Sequence, residues 1–344
     1  MWTLSVPAGV KARGVSILIG ALALTASSLG GCAPAPHAED ELLEVARSLF
    51  GVLEPVAREE LDAPEVVLGR ELFWDERLSA DGRTSCASCH TRENWGSDER
   101  PRSVNARGRL TPRQSLTVLN AMRQSSLRWV GDHTDGAEQA TALVTAVMGL
   151  ADTEDIVALL AEHGYEDAFR KAFPDHLEPL SPENYGRALR AYQSTLVTPG
   201  RFDDYLRGST DALTLEEREG LELFVSTGCA GCHAGDLLGG ETFQRFGVVE
   251  DYWEATGSEE VDVGRYAVSG QEEDRYVFRT PMLRNVARTG PYFHDGSVTT
   301  LERAVRIMAE VQLGRGLPPD DVARIVAFLG SLSGELPENY GPPR

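Results

Sequence analysis

Cys86-Ala87-Ser88-Cys89-His90 and Cys229-Ala230-Gly231-Cys232-His233 decide the reading of this chain. In each pentapeptide two thiols stand three residues apart and an imidazole follows the second. This is the spacing at which a porphyrin takes two thioether bonds and the adjacent histidine takes the iron. Two other chemistries use paired cysteines: a structural zinc site and a redox-active disulfide. Zinc needs no histidine directly after each pair, and a thiol redox motif needs its pair only once. The pattern therefore predicts two covalently bound c-type haems, held by Cys86, Cys89, Cys229 and Cys232, with His90 and His233 on the irons.

Outward from the motifs the chain repeats itself. Gly69-Arg70-Glu71-Leu72-Phe73 precedes the first and Gly220-Leu221-Glu222-Leu223-Phe224 the second, each within an apolar-periodic segment that reads as a helix. Val322, Ile325, Val326 and Leu329 recur at helical spacing behind Pro319-Asp320, and Tyr185, Leu189, Tyr192 and Leu196 do so before Thr198-Pro199-Gly200 breaks the pattern. No stretch alternates long enough for a substantial sheet. The expected fold is all-α, two cytochrome c-like domains over 46–200 and 201–336, each with one haem.

The chain has 344 residues with 33 basic and 53 acidic side chains, a net charge of −20. That charge repels phosphate backbones and anionic headgroups, so it argues against nucleic-acid binding and against a polybasic membrane patch. A protein that docks through electrostatics should be basic. Lys11 and Arg13 precede an apolar run from Val15 to Leu29 that is too short for a stable span but suits a secretory signal. The run ends in Leu29-Gly30-Gly31-Cys32, similar to a bacterial lipoprotein signal over 1–31, with Cys32 as the lipidated residue and 32–45 as a tether. Loss of residues 1–31 removes two basic and no acidic side chains, leaving −22. Ala33 after the cysteine points to the outer membrane, so the expected location is the periplasm, with the lipid as the sole membrane contact. With Cys32 so assigned, the other four of the five cysteines lie in the haem motifs and none remains for a disulfide.

The block Arg279-Thr280-Pro281-Met282-Leu283-Arg284-Asn285, the run Thr289-Gly290-Pro291-Tyr292-Phe293-His294-Asp295-Gly296, and Met308-Ala309-Glu310 resemble the C-terminal domain of the bacterial di-haem cytochrome c peroxidases. The likeness extends from about Leu68 to Gly334 and includes Asn120-Ala121, Trp129 and Glu138-Gln139-Ala140. It implies reduction of hydrogen peroxide to water with electrons from a small periplasmic cytochrome c or copper protein. They would enter at a high-potential haem ligated by His233 and Met308 and pass through Trp129, which matches the family's tryptophan between the haems, to the His90 haem. A soft thioether favours ferrous iron, which suits an electron-accepting centre. The resemblance also implies a calcium ion between the domains, with Thr289 and Pro291 at two carbonyl positions and Gln114 where the family has asparagine. It leaves a homodimer open.

The departures from the family concern its peroxidatic, N-terminal haem, where a removable histidine caps the iron and a glutamate handles protons. An ungapped count puts Ala106 at the histidine and Gly149 at the glutamate, while Gln139 matches an active-site position. Arg128, which replaces an aromatic of the family pattern, and His133 in the following loop are the candidates to compensate: a histidine for proton transfer and an arginine for developing charge. As solvated loop residues beside Asp132 and Asp135 they would do neither. Two further functions stay open on this fold. One is a peroxide-dependent enzyme that oxidises a partner protein, like those that mature methylamine dehydrogenase, whose relay haem has a tyrosine where Met308 stands. The other is a non-catalytic di-haem electron carrier or sensor.

Overall fold

A computed structural model describes residues 38–343; the signal segment and Cys32 lie outside the described residues. The chain is helix-rich, and the described sheet is one antiparallel pair, Phe243–Arg245 with Val277–Arg279. Helix ends follow the local chemistry. Thr214 caps Leu215–Thr227, its hydroxyl accepting from Glu217 N at 3.3 Å while the Glu217 carboxylate accepts from Thr214 N at 2.8 Å, and Gly228 ends the helix at φ +106°. Asp135 caps Gly136–Ala146, Ser181 caps Pro182–Ser194, and Thr300 caps Leu301–Leu313.

The internal repeat is a repeat of helix crossings. In the first half Pro64–Trp74 crosses Pro182–Ser194, and in the second Leu215–Thr227 crosses Pro319–Ser331. A Cβ at Gly69 would stand 1.9 Å from the Ala188 carbonyl oxygen, and one at Gly220 would stand 1.9 Å from that of Arg324. Each glycine is where two backbones touch. This is why the same Gly-x-Glu-Leu-Phe string stands ahead of both haem motifs. Leu72, Phe73, Val144, Tyr185, Leu189 and Tyr192 fill one core, and Leu221, Phe224, Ile325, Phe328 and Leu329 fill the other. A third cluster, including Val130, Phe246, Tyr252, Phe278 and Ile307, lies against Trp129 and Met308.

The ends of the described chain cross over. The helix Ala38–Leu49 buries Leu43 and Ala46, with Phe50 just beyond it, in the core of the second half; the Phe50 and Phe202 rings meet edge-on at 5.6 Å. Residues 38–45, expected as tether, are instead the first turns of that helix, because Leu42, Leu43 and Ala46 form an apolar stripe with a partner. Residues 46–50, expected in the first domain, go with it. At the other end Tyr340, beyond the expected limit at 336, is fully buried in the first core and donates from its hydroxyl to the His90 carbonyl at 2.6 Å.

Buried polar groups join the halves. Asn120 and Asn285, both left-handed at φ +60° and +63°, each donate a side-chain N–H to the Thr198 hydroxyl oxygen at 2.8 Å. Arg284 and Asp203, each wholly buried, form a bidentate pair at 2.8 and 2.9 Å. The same Asp203 carboxylate takes Leu53 N at 2.7 Å, which ties the first helix's exit to the second core.

Candidate active site

Both Cys-x-x-Cys-His motifs form one tight turn closed in the same way. Cys89 N and His90 N donate to the Cys86 carbonyl at 3.2 and 3.0 Å, and Cys232 N and His233 N donate to that of Cys229 at the same two distances. The turn sets two thiols and an imidazole on one wall of a cavity. The Nδ1 of His90 lies 2.9 Å from the Gly96 carbonyl oxygen and that of His233 lies 3.1 Å from the Leu238 oxygen. A carbonyl only accepts, so Nδ1 carries the proton in both rings and Nε2 keeps its lone pair for a metal. Burial lowers both histidine pKa values, holding the rings neutral. Burial also pushes the Cys86 thiol up to about 12 and Cys229 to about 11. The cysteines divide two and two between separate cavities, so they do not form one zinc site.

The first cavity, of about 420 Å³, is lined by Cys86, Cys89 and His90. The second, of about 230 Å³, is lined by Cys229, Cys232, His233 and Met308. Gln114, Leu116, Thr117, Gln124, Trp129 and Arg279 line both. Arg279 within this shared wall is 2% exposed. It donates from Nε to the Arg128 carbonyl at 2.9 Å and from Nη1 to Gln124 Oε1. Among the described residues it forms no ion pair; burial lowers its pKa to about 10, against a weaker pull from Glu241 at longer range. Arg284, just as buried, has its carboxylate. A buried cation without an anion is costly, and its position between two cavities fits the acidic propionate groups that a haem carries. Each cavity also holds an orphaned polar atom: Gln139 Oε1 in the first and His294 Nε2 in the second are buried without a hydrogen-bond partner. The residues present thus fit two haems.

Trp129 is held by its indole N–H, which donates to the Gln114 carbonyl at 2.9 Å, and its ring meets His294 edge-on at 6.2 Å. It sits in a tight loop that closes where Leu127 N donates to the His133 carbonyl at 2.8 Å. Two left-handed residues turn this loop, Arg128 at φ +64° and Gly131 at φ +61°. A Cβ at Gly131 would come within 2.2 Å of the Phe243 ring, so only glycine passes there. The loop brings Arg128, Trp129 and Asp132 to the first cavity. His133, paired with Arg128 in the sequence reading, does not line that cavity; burial and the Arg128 cation lower its pKa.

Ala106 and Gly149 are neighbours, but neither lines the first cavity. A Cβ at Gly149 would lie 3.2 Å from that of Ala106. Hydrogen bonds from Ala106 N to the Val147 carbonyl at 2.9 Å and from Arg107 Nε to that of Gly149 at 3.0 Å join the two segments back to back. Asn105, Ala146, Val147 and Met148 form the wall instead, and among the described residues Asp132 is the single carboxylate on it. Sequence reading also passed over Met122, Met148 and Tyr185, which line this cavity. Met282 packs with Leu53, Val197 and Leu237 and lines the second cavity along with Met308. Gln114, Thr289 and Pro291 all line that same cavity; the Gln114 side-chain nitrogen donates to Ser97 Oγ at 3.0 Å and the Asp98 carbonyl at 3.2 Å.

Residues 63–211 match the family of di-haem cytochrome c peroxidases. The chain is 44% identical over 273 residues to cytochrome c551 peroxidase of Pseudomonas aeruginosa, covering 78% of this chain and 79% of that protein. It is 38% identical over 291 residues to cytochrome c551 peroxidase of Nitrosomonas europaea, covering 83% and 84%. Among solved structures, a MauG-like protein associated with microbial copper homeostasis superposes with a TM-score of 0.71 at 26% identity, over 85% of this chain and 97% of that one. The chain belongs to the di-haem cytochrome c peroxidases, an oxidoreductase family.

Proposed function

We propose that the protein reduces hydrogen peroxide to water with electrons from a small basic cytochrome c or copper protein. The electrons enter at the haem of Cys229, Cys232, His233 and Met308 and pass by Trp129 to the haem of Cys86, Cys89 and His90. The observation that carries this reading is the shared wall, where one indole and one uncompensated guanidinium face both cavities. When bound, the haems supply reversible one-electron storage and, at an open iron, a site for peroxide. The chain does the rest. The neutral His90 and His233 present Nε2, Met308 offers a soft thioether, Arg279 compensates propionate charge, and Gln139 Oε1 faces the cavity where peroxide would bind.

The reading extends to export, with cleavage before Cys32, lipid attachment there and residence in the periplasm at the outer membrane. It also includes a calcium ion at Gln114, Thr289 and Pro291. Its support is the apolar run ending in Gly30-Gly31-Cys32 and the presence of all three candidate ligands on one cavity wall.

The test is peroxide-dependent oxidation of a reduced basic cytochrome c by the purified protein, with its intact mass. The expected results are steady turnover and a mass that includes two haems and a lipidated Cys32. Absence of turnover in a protein that carries both haems would leave the electron-carrier function instead. Cyanide should bind the oxidised protein at the His90 haem without prior reduction, since among the described residues no second imidazole lines that cavity. Binding that begins only after reduction would show that another side chain caps the iron.

A further inference from the structure

Reduction of one hydrogen peroxide to two waters takes two electrons and two protons, and the protons need a carrier inside the cavity. Neither the position that matches the family's proton-handling glutamate nor the histidine offered in its place is on the wall. Gly149 has no side chain and faces Ala106, and His133 does not line the cavity. Among the residues that do line it, Asp132 bears the single carboxylate, and His90, the single imidazole, is turned to the iron. Asp132 Oδ2 accepts from Arg128 Nη1 at 3.0 Å, and its side chain is 20% exposed. The group therefore touches both the cavity and water, so a proton it gives up can be replaced. The backbone is strained to achieve this: Arg128 is held left-handed at φ +64°, a conformation that non-glycine residues rarely adopt. Arg279 maintains it by donating to the Arg128 carbonyl at 2.9 Å.

We infer that Asp132 is the proton carrier of the peroxide site, with Arg128 as its positioning residue. The inference rests on the peroxidase reading above. The carboxylate takes a proton from one oxygen of hydrogen peroxide and returns it to the other. The O–O bond breaks, and the doubly protonated oxygen leaves as water. The remaining oxygen would leave as the second water with two protons from solvent and the two electrons that the bound haems would pass on from the donor protein. Arg128 fixes the carboxylate in place through its 3.0 Å hydrogen bond and places positive charge beside the oxygen that gains electrons.

The test uses Asp132→Asn in the holoenzyme, with Asp132→Glu as rescue. Asp135→Asn is the control, because Asp135 caps the next helix, asparagine caps equally well, and the residue does not line the cavity. For Asp132→Asn, kcat/KM for peroxide should fall about 10²-fold. A second readout does not involve turnover. Hydrogen cyanide must lose its proton to bind ferric haem, so its association rate with the oxidised protein should fall about ten-fold or more, while nitric oxide, which sheds no proton, should bind at an unchanged rate. Asp132→Glu should recover most of both losses, and Asp135→Asn should show neither. Unchanged turnover and cyanide association in Asp132→Asn would overturn the inference, as would equal slowing of nitric oxide, which marks a distorted cavity. A wild-type protein that carries both haems yet consumes no peroxide would instead overturn the functional reading beneath it.

Discussion

Gly220→Ala adds one methyl group at the place where two helices touch. Its carbon would lie 1.9 Å from the Arg324 carbonyl oxygen, where ordinary contact begins at 3.4 Å, so the crossing must open by about 1.5 Å. Overpacking of this kind costs about 1–3 kcal/mol. Alanine recovers up to about 1 kcal/mol through its better helix propensity. The net loss is about 0–2 kcal/mol, which at about 2–4 °C per kcal/mol lowers the melting temperature by up to about 8 °C. Gly330→Ala is the matched control: it lies near the end of Pro319–Ser331, the partner helix, and its added methyl meets open space, so the propensity term acts alone and the protein should melt slightly higher. Calorimetry of the haem-loaded variants measures both. If Gly220→Ala melts at or above the wild-type temperature, or if Gly330→Ala loses as much, the close crossing does not account for the glycine.

Met308→His should lower the potential of one haem and leave the other nearly unchanged in a spectroelectrochemical titration, because imidazole is a harder and more donating ligand than a thioether; two unmoved potentials would remove Met308 from the iron. Asp262 is raised by burial, but two hydrogen bonds from Arg113, at 2.6 and 2.9 Å, outweigh that and hold its pKa below the ordinary carboxylate value. Its contribution to stability is therefore full above about pH 3.9 and is lost as pH falls toward the lower folded value. Denaturant unfolding of Asp262→Asn should show a flatter acid limb than wild type, and parallel limbs would refute the link. Turnover with a basic donor cytochrome should fall with rising ionic strength, since a net charge of −20 steers encounter over a Debye length of about 10 Å at 0.1 M salt. Salt-independent turnover would point to apolar docking.

Much of the helical framework was legible because its signals are local. Val322, Ile325 and Leu329 show their buried face by spacing alone, and Gly69 and Gly220 are conspicuous because each sits inside an otherwise good helix. The exchange of chain ends was not legible. Periodicity shows that Leu43 and Ala46 need a partner but not which of two similar cores supplies it. Arg279 stood within a quoted block, yet a missing counter-ion becomes visible only when the surroundings of a guanidinium are known. The choice between Asp132 and His133 turned on one residue in a closed loop whose direction depends on the left-handed Arg128 and Gly131, for which spacing has no rule. The ungapped count did bring Ala106 and Gly149 together, but it could not foresee that they would face each other instead of the cavity.

The exchanged ends also constrain the order in which the molecule can be finished. A chain is made from its N-terminus, so the Ala38–Leu49 helix emerges early and waits for Phe202 and the residues after it before its apolar stripe has anything to cover it. Tyr340, which fills the first core and caps the His90 carbonyl, comes last. The first site therefore stays unfinished until the second has been synthesised, and the second needs a helix supplied before the first. A half-made chain would hold neither site in final form, so the two pockets that carry the Cys-x-x-Cys-His motifs reach completion together.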